Sequence, residues 1–134
     1  LDGTYLAEAD DTDNLTGTTA ASVTPAVKSY EGFTAPSTQT VSIAADGSTV
    51  VTYQYTRNSY NLSWNLAGGI ITTEGTAQGS VKYEAPITAP TVAKSGYTFT
   101  NWSPEVPATM PAANVTCTAQ WTVNTYTITL DIEK

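Results

Sequence analysis

The sequence predicts an all-β to β-rich protein with little or no helix, laid out as two small modules in tandem. Four observations carry this. Thr occurs 26 times, scattered among 134 residues, and its β-branched side chain favours the pleated surface of a strand. Eight Tyr and three Trp stand against two Phe, which suits sheets with one wet face. No window sustains apolar residues at i, i+3, i+4 and i+7, the spacing that lets a helix bury one face. The fourth observation is an echo: KSYEGFTAP, beginning at Lys28, returns as KSGYTFTNW, beginning at Lys94, 66 positions later.

The same offset aligns more of the chain without a gap. VVTYQYTRNSYNL, Val50 to Leu62, lies over TCTAQWTVNTYTI, Thr116 to Ile128. Tyr55 meets Trp121, Asn58 meets Asn124, Tyr60 meets Tyr126, and Leu62 meets Ile128. Gly32-Phe33 and Gly96-Tyr97 also agree once a shift against the Lys-Ser anchor is allowed. A period of 66 exceeds the usual solenoid unit, so the chain reads as an array of small domains rather than a stacked superhelix. The expected boundaries are a first module at 1–57, a second at 58–124, and a strand at 125–134 that opens a further unit or adds to the second.

Taken in order, LDGTYL begins the first module as though its opening strand were already past. Asp46-Gly47 is a hairpin-turn dipeptide, and it leads into a closing strand expected over Thr49–Thr56. In the second module, Tyr60, Leu62 and Trp64 fall on one side of an opening strand, with Asn61, Ser63 and Asn65 on the other. Gly68-Gly69 ends that strand by supplying positive φ, and Ile70–Thr73 is expected to start the return. EAPITAPTVAKSG is punctuated by prolines, which donate no ladder hydrogen bond, so it is not expected to form a central strand. Tyr97 and Phe99 precede a turn through Pro104 to Pro111, and Val115–Thr122 closes the module. YTITLDIEK, Tyr126 to Lys134, repeats the opening-strand pattern. Its unpaired backbone calls for either the second module's sheet or a following unit.

Composition excludes several functions. A charge of −7 with five basic residues leaves no Lys/Arg cluster for nucleic acid and no attraction to anionic membranes. No apolar run reaches 18 residues. Cys117 alternates with Thr116 and Thr118 beside Val115, Ala119 and Trp121, which reads as a small buried hydrophobe. The chain has no His, so Ser/His/Asp and Cys/His catalysis have no base. The acids Glu84, Glu105, Asp131 and Glu133 show no spacing that pairs two of them for glycosidic work. The chain is therefore read as non-enzymatic and without cofactors.

With these residues in place, the second module resembles the Listeria–Bacteroides repeat, the internalin B-repeat type of unit. The likeness rests on YNLSWNLAGG, the API with a spaced proline, SGYTFTNW, MPAANVTCTAQW and NTYTI. Asn101 stands where the family usually has Gly before Trp, and Cys117 where a Val or another strand former is usual. The first module is more loosely similar to the mucin-binding-protein type, through Gly32-Phe33 before a Ser-Thr turn and the terminal VTYQYTR. Both resemblances imply β-grasp-like modules of extracellular bacterial surface proteins, in tandem arrays that act as stalk, spacer or adhesion units. The implied partners are neighbouring repeats and a host surface glycan or protein. No residue here matches a known mucin contact.

Three weaker candidates remain. Asp11 and Asp13, with Asn14, could offer oxygens to Ca²⁺, but no EF-hand glycine or closing Glu follows and a solvated acidic loop is the better reading of EADDTDN. Exposed Tyr5, Tyr30, Tyr83 or Trp102 could stack on sugar faces, whereas Trp64, Trp121 and Trp102 are first read as filling small cores. Lys28, Lys82 and Lys94 make a Lys–Asn cross-link conceivable, although no motif sets an acid beside either partner. Sequons at Asn14, Asn61 and Asn114 are weak three-residue matches.

Overall fold

A computed structural model describes residues 11–133. Its strands in chain order are β1 (Ser22–Val23), β2 (Phe33–Thr34), β3 (Val41–Ser42), β4 (Thr56–Arg57) and β5 (Ser59–Asn65). Then follow β6 (Ile70–Thr73), β7 (Gly79–Lys82), β8 (Thr91–Ala93), β9 (Tyr97–Ser103) and β10 (Val115–Val123). No helix occurs among the described residues, so the protein is all-β as its Thr content and periodicity predict.

Strands β5, β7, β9 and β10 form one sheet in the order β7-β5-β10-β9. The opening strand β5 and the closing strand β10 lie side by side and parallel, with Leu62 opposite Val115 and Trp64 opposite Cys117. Each is flanked on its outer edge by an antiparallel neighbour, β7 or β9. This is the strand order of a grasp-like sheet. Period-2 alternation turns Leu62 and Trp64 of β5, and Cys117 and Ala119 of β10, to the same face. Ile87, Val92 and Met110 from the connections cover that face, and Trp102 joins from β9. A fully buried side chain of this size contributes about 1.5–3 kcal/mol.

Two local expectations are revised in detail. Ile70–Thr73 does not return along β5; it leaves the sheet to pair with β8, and β7 makes the return. The glycine pair explains this. Gly68 takes φ +86° for the turn, whereas a Cβ on Gly69 would lie 2.4 Å from the Trp121 ring. The second glycine is thus required by the close approach of Trp121, which directs the chain across the end of the sheet. The proline-rich crossover supplies only the three-residue β8, in a two-stranded ribbon.

Residues 11–57 form two short antiparallel ribbons, β1 with β3 and β2 with β4. The closing strand expected over Thr49–Thr56 has ladder bonds only at Thr56–Arg57. Its alternation survives, with Val51, Tyr53 and Tyr55 half-buried and Val50, Thr52 and Gln54 exposed. Tyrosine hydroxyls do the joining instead: Tyr53 donates to the Pro25 carbonyl at 2.7 Å and Tyr55 to the Lys28 carbonyl at 2.9 Å. Pro25 has no N–H, so a regular ladder there is interrupted. Among the described residues, every buried hydrophobic side chain lies between Leu62 and Ala119.

Beyond β10, residues 124–133 pair with no strand of the sheet. Tyr126, Ile128, Leu130 and Ile132 are 74–91% exposed. Both edges of β10 are already taken by β5 and β9, so the segment has no place beside it.

Candidate functional site

Two places in the chain share one arrangement of atoms. At the first, Gly32 turns the backbone at φ +76°, and the Phe33 amide donates to the Tyr30 carbonyl at 3.2 Å. The Asn58 amide donates to the Gly32 carbonyl at 2.8 Å, and Thr34 Oγ1 donates to Asn58 Oδ1 at 2.5 Å. At the second, Gly96 sits at φ +77° and the Tyr97 amide donates to the Lys94 carbonyl at 3.0 Å. The Asn124 amide donates to the Gly96 carbonyl at 2.9 Å, and Thr98 Oγ1 donates to Asn124 Oδ1 at 2.6 Å. Strand register agrees as well: Phe33 lies opposite Arg57 and Thr34 opposite Thr56, while Tyr97 lies opposite Val123 and Thr98 opposite Thr122. Glycine is required because a side chain at that φ is strained. Asparagine spends both its amide N–H and its side-chain oxygen on holding the turn where a closing strand ends and the chain runs on.

What covers the two junctions differs. Over the first, a Cβ on Gly32 would lie 2.3 Å from the Tyr83 ring. That ring meets Phe33 edge-on at 5.7 Å, and the Tyr83 amide donates to the Asn58 carbonyl at 2.9 Å. The Arg57 guanidinium lies 5.5 Å above the Phe33 ring and reaches Glu84 at 3.2 Å. Tyr83 and Glu84 belong to the turn after β7, so they fasten residues 30–34 to the sheet that follows. Over the second junction nothing lies within 4 Å of the Gly96 Cβ position. Tyr97 is 39% exposed and Val123 62%. Lys94 Nζ stands 4.3 Å above the Tyr97 ring and donates to the Ala67 carbonyl.

The residues singled out from sequence are spread apart. Tyr30 is exposed, edge-on to Tyr55 at 5.0 Å, with its hydroxyl donated to Asp11 at 2.6 Å. Tyr83 sits in the first junction. Trp102 is in the core, 5.0 Å from Trp64 and 5.6 Å from Phe99. It is also one of the residues lining an open cleft of about 460 Å³, with Asn101, Glu105 and Val106. Trp64 is buried and Trp121 partly so; each donates its indole N–H to a backbone carbonyl, Thr76 and Leu66 respectively. Tyr5 and the Glu8–Asp10 part of the acidic cluster lie outside the described residues. Asp11 and Asp13 both contact Lys28 Nζ, at 2.8 and 2.9 Å. The Lys28 hydrogen bond, with that from Tyr30, holds the Asp11 carboxyl below its ordinary range. Hydrogen bonds to the two acids raise the Lys28 pKa. Among the described residues no group of three or more His, Cys, Asp or Glu could hold a metal. Cys117 is fully buried, and burial pushes its thiol up, away from reactivity. No described helix is long and apolar enough to cross a membrane.

The junction glycines and asparagines are visible in the aligned sequence, but their role is not. The signal was Gly-aromatic-Thr followed, in both halves, by an Asn just past the closing strand. Compared with known proteins, the chain matches no family model, no curated protein and no solved structure.

Proposed function

We propose that this chain is a stretch of non-enzymatic β repeat modules from an extracellular bacterial surface protein, working as stalk, spacer or adhesion units. The single supporting observation is the duplicated junction, in which the same glycine turn, threonine and asparagine make the same three hydrogen bonds at both ends of one sheet. An enzyme positions convergent polar groups in a cleft; here the repeated design is spent on how one unit hands the chain to the next. The Tyr83–Phe33 contact and the Arg57–Glu84 pair limit bending at the first junction, as a spacer needs. The resemblance to Listeria–Bacteroides and mucin-binding-type modules accords with this reading. Small-angle scattering of the protein should give an elongated particle at all concentrations. A compact single-body profile counts against the spacer role.

The second reading is a host glycan- or protein-binding module. It is favoured by the cleft lined by Trp102, Asn101 and Glu105. A glycan array without hits weakens this reading by removing its glycan arm, and leaves the first intact.

A further inference from the structure

We infer that the second junction is a docking seat for a further β unit of this chain's own design, with Thr125–Asp131 as that unit's opening strand. The inference rests on the repeat-module reading and names the partner of its exposed end. At the first junction the chain passes Asn58 and enters β5, which lies between β7 and β10. There the Tyr83 ring closes over Gly32 and the Tyr83 amide caps the Asn58 carbonyl. At the second junction the chain passes Asn124 with the same bonds made. It then enters a segment whose apolar positions match β5 one for one: Tyr126 for Tyr60, Ile128 for Leu62, Leu130 for Trp64.

Those matched positions differ only in having no cover. Leu62 is 0% exposed and Ile128 91%; Trp64 is 8% exposed and Leu130 80%. The seat beside them is also largely open, with only Lys94 Nζ set over the Tyr97 ring. Gly96 has open space at its Cβ position, where Gly32 has a tyrosine ring, and Val123 and Tyr97 stand exposed around it. The occupant therefore needs an aromatic ring to set over Gly96 and strands to pair both edges of 125–131. Each large side chain removes roughly 60–120 Å² of apolar surface when covered. Tyr126, Ile128 and Leu130 together give roughly 180–360 Å², too little for a stable contact between separate molecules. This area favours a unit joined directly to the strand over a second copy meeting it in solution.

Two extended chains test this. In the first, residues 1–131 run directly into residues 66–134, so that Thr125–Asp131 stands in the place of β5 for the added unit. In the second, residues 1–124 run into residues 59–134, which restores the native β5 sequence after Asn124. Hydrogen exchange followed by NMR is read in both and in the 134-residue protein. The expected result for the first chain is protection of the Tyr126, Ile128 and Leu130 amides by at least about a hundredfold over the 134-residue protein. In both chains, ring contacts should appear between Gly96 or Tyr97 and the added copy's Tyr83. Ile128→Asn in the first chain should abolish the protection. If the second chain folds its added unit while the first leaves 126–130 exchanging freely, the opening-strand assignment is wrong. If the added unit folds in either chain without contacts at Gly96 and Tyr97, the seat is wrong. Two extended chains with disordered added units overturn the inference outright. In each of these cases the repeat-module reading still stands or falls by the scattering of the 134-residue protein.

Discussion

Gly32 and Gly96 hold the same backbone angle and the same carbonyl bond, yet one lies under a tyrosine ring and the other under open space. The difference separates two layers that a single junction would confuse. The local layer of glycine turn, threonine hydroxyl and asparagine is complete at both places, so it forms with or without a cover. The cover is an addition: Tyr83 and Glu84 bring it to the first junction, and no described residue brings it to the second. Ile128 and Leu62 teach the same lesson about strands. Their patterns agree, and only the presence of neighbouring strands decides which becomes core.

The largest effect expected from breaking this comparison is at that pair. Leu62→Ala should destabilise the protein by about 2–5 kcal/mol, since the side chain is wholly buried in the sheet's core. Ile128→Ala, at the matching position, should fall within about 0.5 kcal/mol of wild type. Urea unfolding followed by Trp fluorescence reads both, and equal losses would show that residues 126–132 are packed in solution.

Next come the glycines. Gly96→Ala forces a side chain to φ +77° and nothing more, for a cost of about 1 kcal/mol. Gly32→Ala meets the same strain and must also displace the Tyr83 ring, so about 2–4 kcal/mol is expected. The gap between the two measures the cover alone. If it vanishes, Tyr83 does not seat on the junction.

How much of this was legible beforehand follows from which features are local. Strand type, the inward set of Leu62, Trp64, Cys117 and Ala119, and the close of β10 follow from alternation, which acts residue by residue. The echo carried the junctions, with Asn58 and Asn124 matched 66 positions apart and the Gly and Thr pairs 64 apart, because matched residues made matched bonds. What escaped the sequence depends on distant partners. The detour of β6 is set by Trp121 pressing on Gly69, two positions far apart in the chain. The loss of the ladder along 49–55 reflects Pro25 on the facing segment, joined there by tyrosine hydroxyls. Trp102, Tyr30 and Tyr83 look alike as aromatic candidates in the sequence, and only packing separates a core indole, an exposed phenol and a junction ring.

A smaller effect is expected from the ion pair over Phe33. Arg57 is mostly buried, but its Nη1 finds no partner among the described residues and Glu84 is half exposed. A guanidinium so incompletely paired gains little over an apolar chain of similar length. Arg57→Met should therefore change stability by no more than about 1 kcal/mol in either direction. Its difference from wild type should change little in 1 M NaCl, because the mostly buried Arg57 is screened less than an exposed charge. A loss of several kcal/mol would make the charge, rather than the Tyr83 ring, the main fastening of the first junction.

The smallest effect belongs to the exposed cluster of Asp11, Lys28 and Tyr30. Lys28 and Tyr30 donate to Asp11, which favours its ionised form and lowers its folded pKa relative to the unfolded chain. Its contribution to stability is thus present above the ordinary aspartate value and is lost as pH falls through the lowered one. Because these groups are solvent-exposed, the contribution is expected to be hard to detect in unfolding curves but plain in NMR. The Asp11 carboxyl carbon should titrate below the ordinary aspartate range, and Lys28→Met should return it most of the way there. Tyr30→Phe should return it less, since the Lys28 bond is the larger cause. Lys28 also lies at contact distance from both Asp11 and Asp13. Millimolar Ca²⁺ must displace that ammonium to bind, so it should leave the Asp11 resonance in place for wild type and move it, if at all, only in the Lys28→Met protein. Movement in wild type would reverse the reading of this loop as an ion-paired surface turn.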